Sequence, residues 1–273
     1  QCAAVCPTGA LSIKSDIDKV WDAVVNSTKK VVVQIAPAVR VAIGEAFGIP
    51  AGENTLGLAV AALRKMGFDK VFDTSFTADL TIMEEATEFI HRFKKGEKLP
   101  LFTSCCPAWV RYAEHKHPDL LNNLSTCKSP QQMFGSVAKD ILSKEYGVDR
   151  NDLVVVSIMP CTAKKAECQR DEFKVDGNPD VDYVLTTQEL IKMIQEAGID
   201  FKNLEPEDLD TPFGLFSGAG VIFGASGGVA EAAARTAYEV VTGKQLKNVE
   251  IKEARGMSTL KEMTLDLEGT KVR

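Results

Sequence analysis

The order of apolar and polar positions divides the chain into alternating strands and helices. Val31-Val32-Val33-Gln34-Ile35-Ala36 and Leu153-Val154-Val155-Val156-Ser157-Ile158 are near-continuous apolar, β-branched runs, the pattern of strands buried on both faces of a parallel sheet. Shorter runs at residues 70–73, 99–102 and 183–185 read as further strands. Between them apolar residues recur at helical spacing, first at Ile17, Val20, Trp21, Val24 and Val25, then through residues 38–47, 56–66, 78–95, 108–116, 130–146, 187–197 and 229–241. Pro107 and Pro130 sit where a first helical turn tolerates proline, and Gly243 where a helix ends. Two short strand-like runs, 249–252 and 263–267, finish the chain. Strands alternating with helices in this way predict a parallel sheet covered on both faces. The polar stretch 118–129 is a candidate boundary between two lobes, and the acidic stretch 205–210 reads as a solvated loop.

Composition narrows the class. With 273 residues the chain is long enough for a sizeable core, and a hydrophobic fraction of 45% with 26% charged residues is that of a globular protein. Lys and Arg number 32 against 38 Asp and Glu, a net charge of −6, which speaks against nucleic acid as a partner because phosphate binding needs clustered basic charge. No apolar run approaches the length of a membrane-spanning helix. The seven cysteines form an odd set spread over a long chain, unlike a compact disulfide framework. A reducing compartment with thiols available to metals is expected.

The chemistry concentrates at the cysteines. Cys105 and Cys106 are adjacent, at the end of an apolar run and just before a helix entered through Pro107, the position where open α/β sheets place their functional groups. Two buried structural thiols are the alternative. Cys161 has a similar setting, after a strand and beside Pro160. Two such thiols facing across a cleft would be half of an iron–sulfur ligand set. Zinc is the competing metal, but apart from Cys2 and Cys6 the sequence has no paired Cys-x₂₋₄-Cys knuckle. Cys161, Lys164 and Glu167 follow an i, i+3, i+6 progression, which predicts a thiolate, an ammonium and a carboxylate along one helical face; a solvated Lys–Glu pair is the plainer reading. Cys2 and Cys6, followed by Pro7, match the tail of a bacterial ferredoxin run that supplies four cysteines. Only the last two are present, and with no initiator methionine the expectation is a segment cut through its motif. Gly218-Ala219-Gly220 with Gly224 only superficially suggests a dinucleotide loop, and close packing explains it more simply. His91, His115 and His117 lie among charged residues and read as solvated.

Together, Thr103-Ser104-Cys105-Cys106-Pro107-Ala108-Trp109 and Met159-Pro160-Cys161-Thr162-Ala163-Lys164-Lys165-Ala166-Glu167 resemble two signatures of the diiron (iron-only, FeFe) hydrogenases of clostridial type. Ile35-Ala36-Pro37-Ala38, Ser129-Pro130-Gln131-Gln132 and Phe223-Gly224-Ala225-Ser226-Gly227-Gly228 extend the resemblance along the chain. The resemblance implies an α/β fold of two lobes, each a mostly parallel twisted sheet flanked by helices, with the active site in the cleft between them. Residues 1–14 would be the remnant of a ferredoxin-type 4Fe–4S domain, 15–29 a linking helix, 30–124 the first lobe and 125–273 the second. It implies reversible interconversion of protons and H2 at an H-cluster, a 4Fe–4S cubane joined to a diiron subsite with CO, cyanide and dithiolate ligands. Cys106 and Cys161 would ligate the cubane, and Cys2 and Cys6 an accessory 4Fe–4S cluster. Cys105 would be the free thiol that passes protons, and Lys164 would donate to a cyanide. Met159, Pro37, Ala36, Gln131 and Phe223 would shape the pocket. Glu85, Glu88, Ser125 and Arg92 would form the outward proton path; on a helix, Glu85, Glu88 and Arg92 at i, i+3 and i+7 share a face.

A ferredoxin or similar electron carrier, hydrogenase maturation proteins and an anaerobic bacterial cytoplasm follow from the same resemblance. The family's third signature, with two more cysteines, has no counterpart in this sequence. The chain is therefore expected to be a fragment that assembles no working site alone, with Cys127 and Cys168 as structural thiols. The rival readings are a non-catalytic relative, either an iron–sulfur assembly factor or an H2 sensor, and a plain zinc or cluster-binding module.

Overall fold

The structure is a computed structural model that describes residues 3, 5–246 and 262–272. Cys2 and the strand-like run 249–252 lie outside the described residues. In chain order the elements are α1 (Ile17–Trp21, continued by a π-helical turn to Asn26), β1 (Lys30–Ile35), α2 (Val39–Ala42), α3 (Leu56–Met66), β2 (Lys70–Asp73), α4 (Ser75–Lys95), α5 (Pro107–Lys116), α6 (Pro130–Tyr146), β3 (Leu153–Met159), α7 (Ala163–Glu167), β4 (Lys174–Val175), β5 (Asn178–Pro179), β6 (Tyr183–Thr186), α8 (Thr187–Glu196), α9 (Gly218–Val221), α10 (Gly228–Thr242), β7 (Leu265–Leu267) and β8 (Thr270–Val272).

The chain divides into two compact units, Gln1–Phe72 with Gly135–Asp210 and Asp73–Phe134 with Thr211–Arg273. The polar stretch 118–129, the candidate boundary in the sequence, lies within the second of these units. The strands of the second half, β3 and β6, join β1 and β2 in one sheet of order β2-β1-β3-β6. Alternation of strands and helices says that a sheet is parallel; it does not say which sheet a later strand enters.

In the first unit β1 pairs with β3 in parallel, Lys30 opposite Leu153 through Ile35 opposite Ile158, and β3 pairs with β6 from Val156 opposite Tyr183. All seven residues of β3 are buried, as are all of β1 after Lys30. Each fully buried Val or Ile contributes roughly 1.5–3 kcal/mol of transfer free energy, so these two runs form the core. One polar pair interrupts it: Gln34 Nε2 donates to Ser157 Oγ at 2.7 Å, which satisfies two polar groups that burial would otherwise penalise. The strand order reverses between β1 and β3. The crevice outside the carboxyl ends of such a strand pair is where open α/β sheets bind ligands.

The second unit is built on α4. Its buried face carries Ser75, Thr77, Ala78, Thr81, Ile82, Glu85, Ala86 and Arg92, more polar than apolar. Thr77 Oγ1 donates to Thr74 O and to Pro130 O, and Thr81 Oγ1 to Thr77 O. Against α4 lie α9 and α10. A Cβ on Gly220 would stand 2.4 Å from Ser75 O, as expected for a glycine serving close packing, and one on Gly228 would overlap Ile222 O, whereas one on Gly218 would meet nothing within 4 Å. Among the described residues this unit has no parallel sheet, contrary to the expectation of one in each lobe. Residues 99–102, expected as a buried strand, make a single parallel bridge between Phe102 and Leu124. Pro100 has no N–H to give a ladder, and Leu99 is exposed. β7 and β8 form an antiparallel hairpin.

Candidate active site

At the sheet switch point of the first unit, Ala36 N donates to Ile158 O at 3.0 Å. This bond places Ala36 and Pro37, beyond β1, beside Met159 at the end of β3. Met159 is buried, Ala36 is buried and Cys161 follows two residues later as a half-buried free thiol. The expected run of Cys161, Lys164 and Glu167 on one helical face is only partly found. The helix α7 begins at Ala163 with Thr162 as its N-cap, so Cys161 precedes it, joined by a turn in which Lys164 N donates to Cys161 O at 3.3 Å. Lys164 and Glu167 do pair, Nζ reaching Oε2 at 3.0 Å and Oε1 at 3.2 Å. With side-chain exposures of 12% and 4% they are not a solvated surface pair. Neighbouring Lys165 has a different task. Its Nζ donates to Val184 O (2.6 Å), Glu189 Oε1 (3.0 Å) and Asp16 Oδ2 (3.1 Å), one acceptor for each of its three protons. It thereby fixes α7 to β6, to the first turn of α8 and to the segment before α1.

In the second unit α4 presents Glu85, Glu88 and Arg92 to residues 122–127. Glu88 Oε2 accepts from Ser125 Oγ (2.9 Å) and Thr126 N (3.0 Å). Glu88 Oε1 accepts from Arg92 Nη2 (2.5 Å) and Thr126 Oγ1 (3.2 Å). Burial pushes the Glu88 carboxyl up, but the Ser125, Thr126 and Arg92 donors outweigh it and hold the group below the usual carboxylate range. Arg92 is itself buried and also donates to the carbonyls of Lys98, Asn122, Asn123 and Leu124.

Glu85, one turn before Glu88, has the opposite environment. It is 2% exposed, and neither carboxylate oxygen has a hydrogen-bond partner among the described residues. Burial pushes it up to about 7; the nearby Ser125 hydroxyl and Ser104 N–H offset only part of this, and the Glu88 charge adds to it. It lines a cavity of about 190 Å³ with Phe89, Thr103, Ala234, Leu267 and Val272. Two carboxyls whose environments drive them apart are the arrangement used for stepwise proton transfer near neutral pH.

Ser104, whose N–H lies near Glu85, immediately precedes the adjacent cysteines. Cys105 is half-buried, whereas Cys106 is exposed and caps α5 with extended backbone (φ −97°, ψ 104°), Pro107 following at the first helical position. The first-turn N–H groups of α5 have no side-chain cap and favour an anionic neighbour. Gln131 is buried at the start of α6, and Phe223 is half-buried in the turn after α9.

Cys6 sits in a loop in which the Thr8 hydroxyl and the backbone N–H groups of Leu11, Thr8 and Ala10 lower its thiol to about 7. Hydrogen bonds of this kind tune the sulfurs of iron–sulfur ligands. No group of three or more His, Cys, Asp or Glu side chains gathers in metal-binding geometry among the described residues. A cluster would draw on these thiols as separate partial sets of ligands.

Two residues of this site were missed in the sequence. Thr126 read only as part of a polar stretch, yet it donates to both Glu88 oxygens. Cys127 read as a structural thiol, yet its Sγ lies 3.8 Å from Glu88 Oε2 and burial pushes it up to about 11. Their closeness to Glu88, which is 38 and 39 residues away, has no local signal. Cys168 is buried, as expected for a structural thiol.

Residues 29–273 match the family described as iron only hydrogenase large subunit, C-terminal domain. The chain is 54% identical to NADP-reducing hydrogenase subunit HndD of Solidesulfovibrio fructosivorans, over 96% of this chain and 46% of that protein. It is 47% identical to iron hydrogenase 1 of Clostridium pasteurianum, over 97% and 46%. It thus spans just under half the length of these relatives. Proteins named cytosolic iron–sulfur assembly factors match less closely, at 33–35% identity. Among solved structures, apo [FeFe]-hydrogenase HydA1 from Chlamydomonas reinhardtii superposes with a TM-score of 0.81 at 45% identity, covering 92% of this chain and 65% of that one. The chain belongs to the iron-only hydrogenase family, to the C-terminal domain of its large subunit.

Proposed function

We propose that this chain is the proton-handling and cofactor-holding part of a hydrogenase that interconverts protons and electrons with H2. The observation that carries this reading is the Glu85–Ser125–Glu88 arrangement, in which a buried carboxyl pushed up to about 7 lies near the Ser125 hydroxyl, and that hydroxyl donates to a second carboxyl held below the usual range. Cys106 and Cys161 would hold the cubane of an H-cluster, with Ala36, Pro37, Met159, Gln131 and Phe223 shaping its pocket and Lys164 donating to an anionic ligand. When bound, that cofactor supplies the redox chemistry of H2. Within this chain Cys105 takes up or releases the proton at the cofactor, and Glu85 exchanges it with Cys105. The Ser125 hydroxyl passes it on to Glu88, whose ionised form Arg92 keeps in place. Glu85 near neutrality loses little driving force in either direction, which suits a reversible relay.

Cys6, with Cys2, would hold an accessory 4Fe–4S cluster that brings electrons from a ferredoxin or similar carrier. Maturation proteins would insert the diiron subsite, in a reducing and anaerobic cytoplasm. No helix among the described residues is long and apolar enough to cross a membrane. A purely assembly-type or sensing relative has no physical need for both Cys105 and Lys164, and both are present.

The test is turnover of the longer parent protein carrying its cofactor. Glu85→Gln and Cys105→Ala should each lower hydrogen evolution by about 10²-fold or more, the range of a lost proton-transfer group. Wild-type turnover in both variants would sink the relay.

A further inference from the structure

The relay needs an outlet to water, and its outermost cation is poorly suited to be one. Arg92 cannot give up a proton in a protein. Arg92 is 5% exposed, and its guanidinium is committed to Glu88 and to the carbonyls of Lys98, Asn122, Asn123 and Leu124. The other group on the outer Glu88 oxygen is different in kind. Thr126 is exposed, its Oγ1 lies 3.2 Å from Glu88 Oε1 and its backbone N–H holds both oxygens at 3.0 and 3.3 Å. A hydroxyl both donates and accepts, so it can receive one proton while releasing another.

We propose that the Thr126 hydroxyl is the exit and entry step of this relay, with Arg92 serving only to position Glu88. This rests on the relay reading above. Outward, the Glu88 Oε1 proton passes to Thr126 Oγ1 as the proton already on Oγ1 passes to a water molecule. One O–H bond breaks and one forms at Oγ1, one proton reaches solvent and no electron moves; inward transfer is the reverse. The charged and titratable groups around Glu88 are Arg92 and Glu85 on α4 and Cys127 on the facing segment. The Glu88 side chain is itself 16% exposed, and none of these groups adds a hydroxyl route from it to water.

The test uses this 273-residue chain with glutamate labelled at the carboxyl carbon. Glu88, assigned from its loss in Glu88→Gln, is followed by NMR at the midpoint of its own titration, where line width reports the rate of proton exchange with solvent. Thr126→Val keeps the shape of the side chain without the hydroxyl and should slow exchange at least tenfold, broadening the line. Thr126→Ser should restore it to within twofold of wild type. A narrow line in Thr126→Val, or a broad one in Thr126→Ser, overturns the proposal.

In the cofactor-loaded parent, Thr126→Val should also lower turnover about tenfold with an increased solvent isotope effect, recovered in Thr126→Ser. If Glu85→Gln abolishes turnover while Thr126→Val leaves it unchanged, the outlet is wrong and the relay stands. If Glu85→Gln is silent as well, the relay itself has failed.

Discussion

Along β1 and β3 the buried positions are aliphatic side chains and one methionine in parallel register, broken only by the Gln34–Ser157 pair, in which the Gln34 amide donates to the serine. Along α4 the buried positions include Thr77, Thr81, Glu85 and Arg92. One surface is stabilised by removing hydrocarbon from water. The other is stabilised only where each polar group finds a partner, and among the described residues it leaves one carboxyl, Glu85, without one. A protein accumulates such a cost where the group is used. The difference teaches where to look: the sheet supplies a rigid edge, and the helix supplies titratable groups whose energies depend on pH. The chain offers a natural readout for each, because its two tryptophans divide between the units, Trp21 in one and Trp109 in the other. Replacing either by Phe leaves a fluorophore specific to the other unit.

The largest effect should come from Arg92→Met. Removing one partner from a buried ion pair leaves the other uncompensated, at a cost of about 3–5 kcal/mol, and four backbone carbonyls lose a donor as well. Urea unfolding followed through Trp109 should show this loss at pH 7. A cost under about 1 kcal/mol would mean that the polar face of α4 is solvated and the contrast with the sheet is false.

Glu85→Gln should act in the opposite direction. Its folded carboxyl stands near 7 against an ordinary value of 4.5. Below the ordinary value both states are protonated and the substitution is neutral. Between 4.5 and 7 the unfolded chain ionises while the folded one stays neutral, so wild-type stability falls with rising pH and levels off above 7. The variant, which cannot ionise, should be more stable than wild type by roughly 3 kcal/mol at pH 8 and indistinguishable at pH 4. A pH-independent difference would remove the burial argument for Glu85.

What the sequence disclosed follows the same contrast. β1, β2, β3 and β6 were legible because hydrocarbon runs leave a pattern in consecutive residues, and α3 and α6 because helical spacing does the same. The assignment of β3 and β6 to the sheet of β1 and β2 was not legible, since long-range pairing has no local signature. Residues 99–102 look like a strand in hydrophobicity alone, while the missing N–H of Pro100 and the lack of a partner decide otherwise. The same holds at the site. Glu85, Glu88 and Arg92 are in phase on a helix, but only the fold shows that Glu85 is stranded and Glu88 satisfied. Cys105, Cys106 and Cys161 stand out by their strand-end settings and Lys164 by its spacing from Cys161, while the roles expected of them came from resemblance alone. Thr126 and Cys127 reach Glu88 only through tertiary contact, so nothing in their own neighbourhood marked them.

The smallest of these effects tests the sheet. Ile158 is fully buried opposite Ile35, and Ile158→Val removes one methyl carbon while keeping the β-branch that suits a strand. The expected cost is about 1 kcal/mol, the transfer of one carbon plus the small void it leaves. Followed through Trp21, the urea midpoint should fall with an unchanged slope, because the surface exposed on unfolding hardly changes. The informative feature is the absence of pH dependence. Neither Ile158 nor Ile35 ionises, so the same cost should appear at pH 5 and pH 8, across the interval in which Glu85→Gln changes most. A cost that varied with pH over that interval would mean that ionisation reaches the sheet, and that the aliphatic and titratable surfaces are coupled energetically.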